Sequence, residues 1–166
     1  MKKLTIAFAL LFIGLCAQIS SAQSANQIDK ETFIKAVKIL EQDPFIKDGK
    51  KYREALTFYL IETKDVSVTL CTDNLTEPLF DKKYKFSNEL FGQNMFGMAV
   101  FKLENPDKAK DEAAARLAGV ESMLRTYETM VKQNSKAKLA AADELIALRD
   151  KSELKAKIDA ANCGKK

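Results

Sequence analysis

The sequence predicts an all-α fold: a single bundle or array of five to six helices, exported from the cell and clasped by one disulfide. Three observations lead there. Apolar residues recur at steps of three and four along most of the chain. Glycine and proline, six and three in total, are too sparse for a protein of short strands and tight turns. Only one short segment alternates like a strand, and nothing else in the chain offers it a pairing partner.

The chain opens with Met1-Lys2-Lys3, then an apolar run from Leu4 to Leu15, then small and polar residues ending in Ser20-Ser21-Ala22. Positive start, short apolar stretch and small-residue end are the three parts of a secretory signal peptide. The run is about twelve residues, too short for a ~30 Å hydrocarbon core. Residues 1–22 are therefore read as a cleaved leader, and residues 23–166 as one helical domain starting at Gln23 in the periplasm or outside a bacterial cell. A lipoprotein anchored at Cys16 is the lesser alternative. Bulky Leu15 stands just before Cys16, where a lipobox has a small residue.

After the leader the elements follow in order. Phe33, Val37 and Leu40 mark the inner face of a first helix, with Asp29 as its cap or Ser24-x-x-Gln27 as a capping box. Asp43-Pro44 is expected to restart the helix, a cap followed by proline at the first helical position. After Gly49, a second helix turns Tyr52, Ala55/Leu56, Tyr59/Leu60 and Thr63 to one side. The alternating stretch DVSVTLCTD, 65–73, is either an extension of that helix or an extended connector. NLTEPLFDKKYK, 74–85, is a loop.

A third helix over 87–103 carries LFGQNMFGMAVFKL. It is apolar nearly all round, which marks a central helix. Leu90, Met95, Val100 and Phe101 should be mostly buried, and Gly92 and Ala99 should admit a close neighbour. Asn105-Pro106 should begin the fourth helix, with a seam of Ala113, Leu117, Val120, Leu124, Tyr127 and Val131. Ser135 should cap a fifth helix containing Leu139, Ala142, Leu145 and Leu148. Asp150-x-x-Glu153 should box the start of a last one with Leu154, Ile158 and Ala161 inward. Residues 119–138 resemble the second helix of a tetratricopeptide repeat over one helix only. Met123 stands at the alanine position and Ser135 at the proline position, and nothing repeats at thirty-four residues, so a generic helical hairpin accounts for them.

Composition narrows the chemistry. Without the leader, 25 basic residues face 23 acidic ones, a net +2 with no aromatic-interleaved basic stripe, which speaks against nucleic acid. No segment of the mature chain is long and apolar enough to span a membrane. The chain has no histidine, hence no His-based triad or histidine metal site, and no cofactor motif occurs. Cys71 and Cys163 are an even pair in an exported chain and read as a disulfide. Closing a ring of about ninety residues, it would add roughly 4–5 kcal/mol by chain entropy. Ser135-x-x-Lys138 and Ser152-x-x-Lys155 lack the companion motifs of penicillin-recognising enzymes. The acidic pairs Asp111/Glu112 and Asp143/Glu144 sit on charged helix faces. Phe91, Met95, Phe96, Met98 and Phe101 are either core or the lining of an apolar pocket for a small ligand.

The functional expectation is an exported, non-enzymatic interaction or structural protein of the cell envelope with an unknown protein partner. A periplasmic carrier or chaperone with a Phe/Met pocket is the first rival, an inhibitor or immunity-type protein the second, and a paired-carboxylate hydrolase the last.

Overall fold

The structure is a computed structural model and describes residues 28–71 and 75–161. The expected leader with Cys16, the Ser24-x-x-Gln27 box and Cys163 lie outside the described residues. Six α-helices follow one another: α1 (Lys30–Gln42), α2 (Gly49–Glu62), α3 (Ser87–Glu104), α4 (Glu112–Gln133), α5 (Ala140–Asp150) and α6 (Leu154–Ala160). Three short 3-10 turns, Glu77–Phe80, Pro106–Lys108 and Ser135–Ala137, interrupt the links, and there is no strand among the described residues.

α3 and α4 form the spine. On one side, α1 and α2 place Phe33, Val37, Leu40, Leu56 and Tyr59 against Phe96, Ala99 and Leu103 of α3. On the other, Leu79 and the α5 and α6 residues Ala142, Leu145, Leu154 and Ile158 close over Leu90 of α3 and Met123, Leu124, Tyr127 and Met130 of α4. α3 is thus central, as its all-round apolarity predicts. Leu90 is fully buried, but Met95, Val100 and Phe101 are only half-buried. Met95 and Val100 fall between the face given to α4 and the face given to α1 and α2, whereas Phe101 continues the stripe of Asn94 and Gly97 near the C-terminal end of α3.

The spine is close because both helices carry glycine at the crossing. A Cβ on Gly97 would lie 2.6 Å from the Cβ of Ser122 and 3.1 Å from the Cα of Gly119. A Cβ on Gly119 would lie 2.5 Å from Met98 Cγ and 2.6 Å from both Asn94 oxygens, one of them the backbone carbonyl. Gly92, the expected close-approach site, is different: its Cβ would meet only the Phe96 ring, at 3.4 Å. On α4 the seam is broader than expected. Val120, Leu124 and Tyr127 are buried, and so are Ala115, Gly119, Ser122, Met123, Thr126 and Met130, because α4 is covered on two sides. Ala113 is exposed, in the first turn beyond those contacts.

Several helix starts differ from expectation. Asp29 does cap α1, accepting from the Thr32 N–H at 2.7 Å. Asp43-Pro44 does not begin a helix. The Asp43 N–H instead closes α1 on Ile39 O, and two turns follow before Gly49, with Asp48 in the left-handed region at φ 62°. Asn105-Pro106 opens only a 3-10 turn, and α4 waits for Asp111, which accepts from the Ala114 N–H at 3.0 Å. A helix begun at Pro106 would hold Lys108 and Lys110 near its positive end. Asn134 rather than Ser135 caps the third 3-10 turn, accepting from the Lys136 N–H. The Asp150-x-x-Glu153 box does not form. Ser152 takes a left-handed φ of 61°, and the Glu153 N–H donates back to Leu148 O while the Ser152 N–H donates to Arg149 O, a Schellman closure of α5. Residues 65–71 are a connector without regular structure and not an extension of α2, which ends at Glu62; Val66 is buried.

The glycines give an ordered expectation for urea melts. Gly119→Ala and Gly97→Ala should each cost about 1–3 kcal/mol, since overpacking outweighs the gain in helix propensity. Gly92→Ala, with room for its methyl, should be neutral or stabilising by up to ~1 kcal/mol.

Candidate interaction surface

α2 is apolar on two opposite sides. Its inner side is set by Leu56 and Tyr59, with the Tyr59 ring stacked on Phe33 at 4.6 Å between centroids. Its outer side carries Phe58 and Ile61, which are 59% and 71% exposed. At 100° per residue these two fall on one face with Lys51, Glu54, Ala55 and Glu62, all exposed. Tyr52 and Ala55, expected inward, are both exposed: Ala55 lies on the outer side, and Tyr52, though in line with Leu56 and Tyr59, sits in the first turn without cover. Ile39, Phe45 and Leu70 are other large apolar side chains with much of their surface in solvent. Phe45 is the better anchored of these, with its ring 5.3 Å from that of Phe86.

Two concave features bear on ligands. A void of about 10 Å³ between the connector, α3, α4 and α6 is lined by Thr69, Cys71, Asn94, Met98, Arg116 and Ile158. It is the size of one water. The Asn94 side-chain oxygen is buried without a protein donor among the described residues. An open groove of about 290 Å³ runs between the connector and the start of α4, lined among others by Asp65, Ser67, Lys102, Lys110 and Glu112. Lys102 is buried there, donating to Glu112 Oε1 at 2.6 Å and to Ser67 O at 2.8 Å. It ties the connector and the first turn of α4 to α3. With two cations and two carboxylates in its wall, the groove has no sign preference.

The five Phe/Met residues do not converge. Phe96 faces α1, edge-on to Phe33 at 6.1 Å, whereas Met98 faces Gly119 of α4. Phe91 packs edge-on against Phe80 at 5.2 Å, and Met95 and Phe101 are half-buried on separate turns of α3. The acidic pairs are engaged locally: Asp111 as a cap, Glu112 with Lys102, and Asp143 as acceptor from the Tyr127 hydroxyl at 2.8 Å. Ser152 serves the turn after α5, and Lys155 pairs with Asp159 of its own helix. Cys71 is half-buried and shares its void with Ile158 of α6.

Polar groups elsewhere lock the helices together. Gln93 of α3 donates to Ser122 Oγ of α4 at 2.9 Å, Ser122 donates to Glu41 of α1 at 2.6 Å, and Arg125 clamps both oxygens of Glu41. The Tyr84 hydroxyl donates to Ala137 O, and Tyr127 Oη accepts from the Leu139 N–H, so two phenols hold the α4–α5 turn. Burial pushes both phenols up to about 12. Arg149 of α5 reaches both oxygens of Glu128 on α4 at 2.8 and 2.9 Å. The outer face of α2 was not singled out from the sequence. Its signal was present in Phe58 and Ile61, apolar residues off the stripe of Leu56 and Tyr59.

No protein-family model, curated protein or solved structure matches the chain.

The Arg149 hydrogen bond holds the Glu128 carboxyl below its ordinary value of 4.5. The stability this pair adds is therefore complete above that value and is lost as pH falls through the lower, folded-state value. Both side chains are partly solvated, so Glu128→Gln should cost only about 0.5–1 kcal/mol at neutral pH. In urea melts across acid pH, the gap between variant and wild type should close as pH drops below the ordinary glutamate value.

Proposed function

We propose that the chain is an exported, non-enzymatic interaction protein of the cell envelope that binds a protein partner through the outer face of α2. The observation that carries this is Phe58 and Ile61, two large apolar side chains 59% and 71% exposed and one turn apart on a helix whose other side is already packed. Exposing both costs solvation that a partner would recover, at about 25 cal/mol for each Å² covered. Flanking Lys51, Glu54 and Glu62 supply the polar rim such a contact has. Tagged protein in envelope extract should retain a specific partner, and Phe58→Glu with Ile61→Glu should release it. Lys138→Glu, at an exposed site in the α4–α5 link, should leave capture intact. Equal capture by the α2 variant would sink the reading.

Export rests on the leader-like residues 1–22, with maturation at Gln23. The disulfide between Cys71 and Cys163 belongs to the same proposal. Cys71 borders the void that Ile158 of α6 also lines, and Cys163 stands three residues after Ala160 in the sequence. A bond there would hold α6, which buries only Leu154 and Ile158. Thiol labelling of the oxidised protein should modify neither cysteine, and reduction should speed hydrogen exchange in α6 ahead of α3 and α4. Labelling of both cysteines before reduction would show that the clasp does not exist.

A further inference from the structure

We infer that the occupant of the α2 face is a second copy of this chain, packed antiparallel about a two-fold axis between Leu56 and Thr57. This rests on the reading of α2 as an interaction surface and adds the identity of its partner.

The argument is the distribution of charge and size along one face. Lys51 and Glu62 are eleven residues apart, three helical turns, and so lie almost on one line. Lys51 is at the N-terminal end of α2 and Glu62 at its C-terminal end, both exposed. In a two-fold antiparallel pair, each residue on one flank meets a residue of the same flank on the second copy, and every contact occurs twice. Lys51 then faces Glu62 of the second copy. The same register sets Phe58 over Ala55 of the second copy, a large side chain over a small one, again twice. A parallel pairing would instead oppose Lys51 to Lys51 and Glu62 to Glu62. Glu62 has no ion-pair partner among the described residues, and Lys51 reaches only Asp48, with its side chain 79% exposed. Glu62 is therefore open to the second copy, and Lys51 would exchange or share its exposed pair with Asp48 to meet it.

Phe58 supplies the attraction, while Lys51 and Glu62 select the direction, since exposed ion pairs are weak. One helix pair covers less than the ~1,600 Å² of a standard interface, so the association is a reversible one of micromolar strength.

Sedimentation velocity on the purified protein between about 1 and about 500 μM tests this, because self-association must track concentration. The expected result is a monomer–dimer equilibrium. Phe58→Glu should abolish it over that range. Lys51→Glu and Glu62→Lys should each weaken it about tenfold, two attractions becoming two repulsions. The double variant Lys51→Glu/Glu62→Lys should recover to within about threefold of wild type. Far-UV circular dichroism confirms that each surface variant is folded. A monomer at every concentration, a dimer indifferent to Phe58→Glu, or a double variant weaker than either single one overturns the proposal. Should the protein be monomeric while Phe58→Glu still releases a captured envelope protein, self-pairing is wrong and the α2 reading survives. Should Phe58→Glu alter neither, both fall.

Discussion

α3 and α4 cross so closely at Gly97 and Gly119 that neither position has room for a methyl group, and the other contacts are arranged around that crossing. A Cβ on Gly119 would lie only 2.5 Å from Met98 Cγ and 2.6 Å from Asn94 O, so a side chain there would push the two axes apart. The separation matters because polar groups bridge it. Gln93 reaches Ser122 across the same interface, and Ser122 passes the hydrogen bond to Glu41 of α1. A small lateral shift would break the buried Gln93–Ser122 bond, costly to leave unmade, and the part-buried Ser122–Glu41 bond beyond it. The glycines thus set the distance, and the Gln93–Ser122–Glu41–Arg125 chain makes that distance the one at which α1 also fits.

Much of this architecture was legible in the sequence, and the reason is periodicity. Phe33, Val37 and Leu40 fall where α1 buries them, and the all-round apolarity of residues 90–103 marks the helix that is covered on two sides. What was not legible is which of several competing local signals prevails. Asp43-Pro44, Asn105-Pro106 and Ser135 each look like a helix start, yet each gives way to a later one. At α4 the later start is favoured by Asp111, a cap that holds the Ala114 N–H and leaves the lysines before it outside the first turn. At α5 the deciding group is distant in sequence: Tyr127 of α4 takes the Leu139 N–H. The sequence points to Gly92 for the close crossing because Gly92, Phe96 and Ala99 share a stripe. That stripe faces α1 and α2, and nothing local distinguishes it from the one that holds Gly97.

The same limit explains why the α2 surface was missed and the Phe/Met cluster was overweighted. Five such residues close in sequence look like one lining. On a helix they point in different directions, and α3 is packed on enough sides to use each of them separately. Conversely, Phe58 and Ile61 look unremarkable beside Leu56, Tyr59 and Leu60, since a run with that many apolar residues reads as core whichever way it faces. Only the three-dimensional arrangement separates Leu56, fully buried, from Ile61, 71% exposed five residues later.

α2 is also thinly attached for its length. It rests on α1 and α3 through Leu56 and Tyr59, with Arg53 hydrogen-bonded to Pro44 O at its start. A helix of fourteen residues is marginal alone in water and depends on packing for most of its stability. Covering its outer side would therefore do two things at once: remove exposed apolar surface and strengthen a helix held from one side only. Under the proposed pairing, the occupant of the α2 face would stabilise the fold as well as recognise it. The degree of order in α2 would then depend on how much of the protein is associated, while that of the α3–α4 spine, fixed by its own glycines, would not.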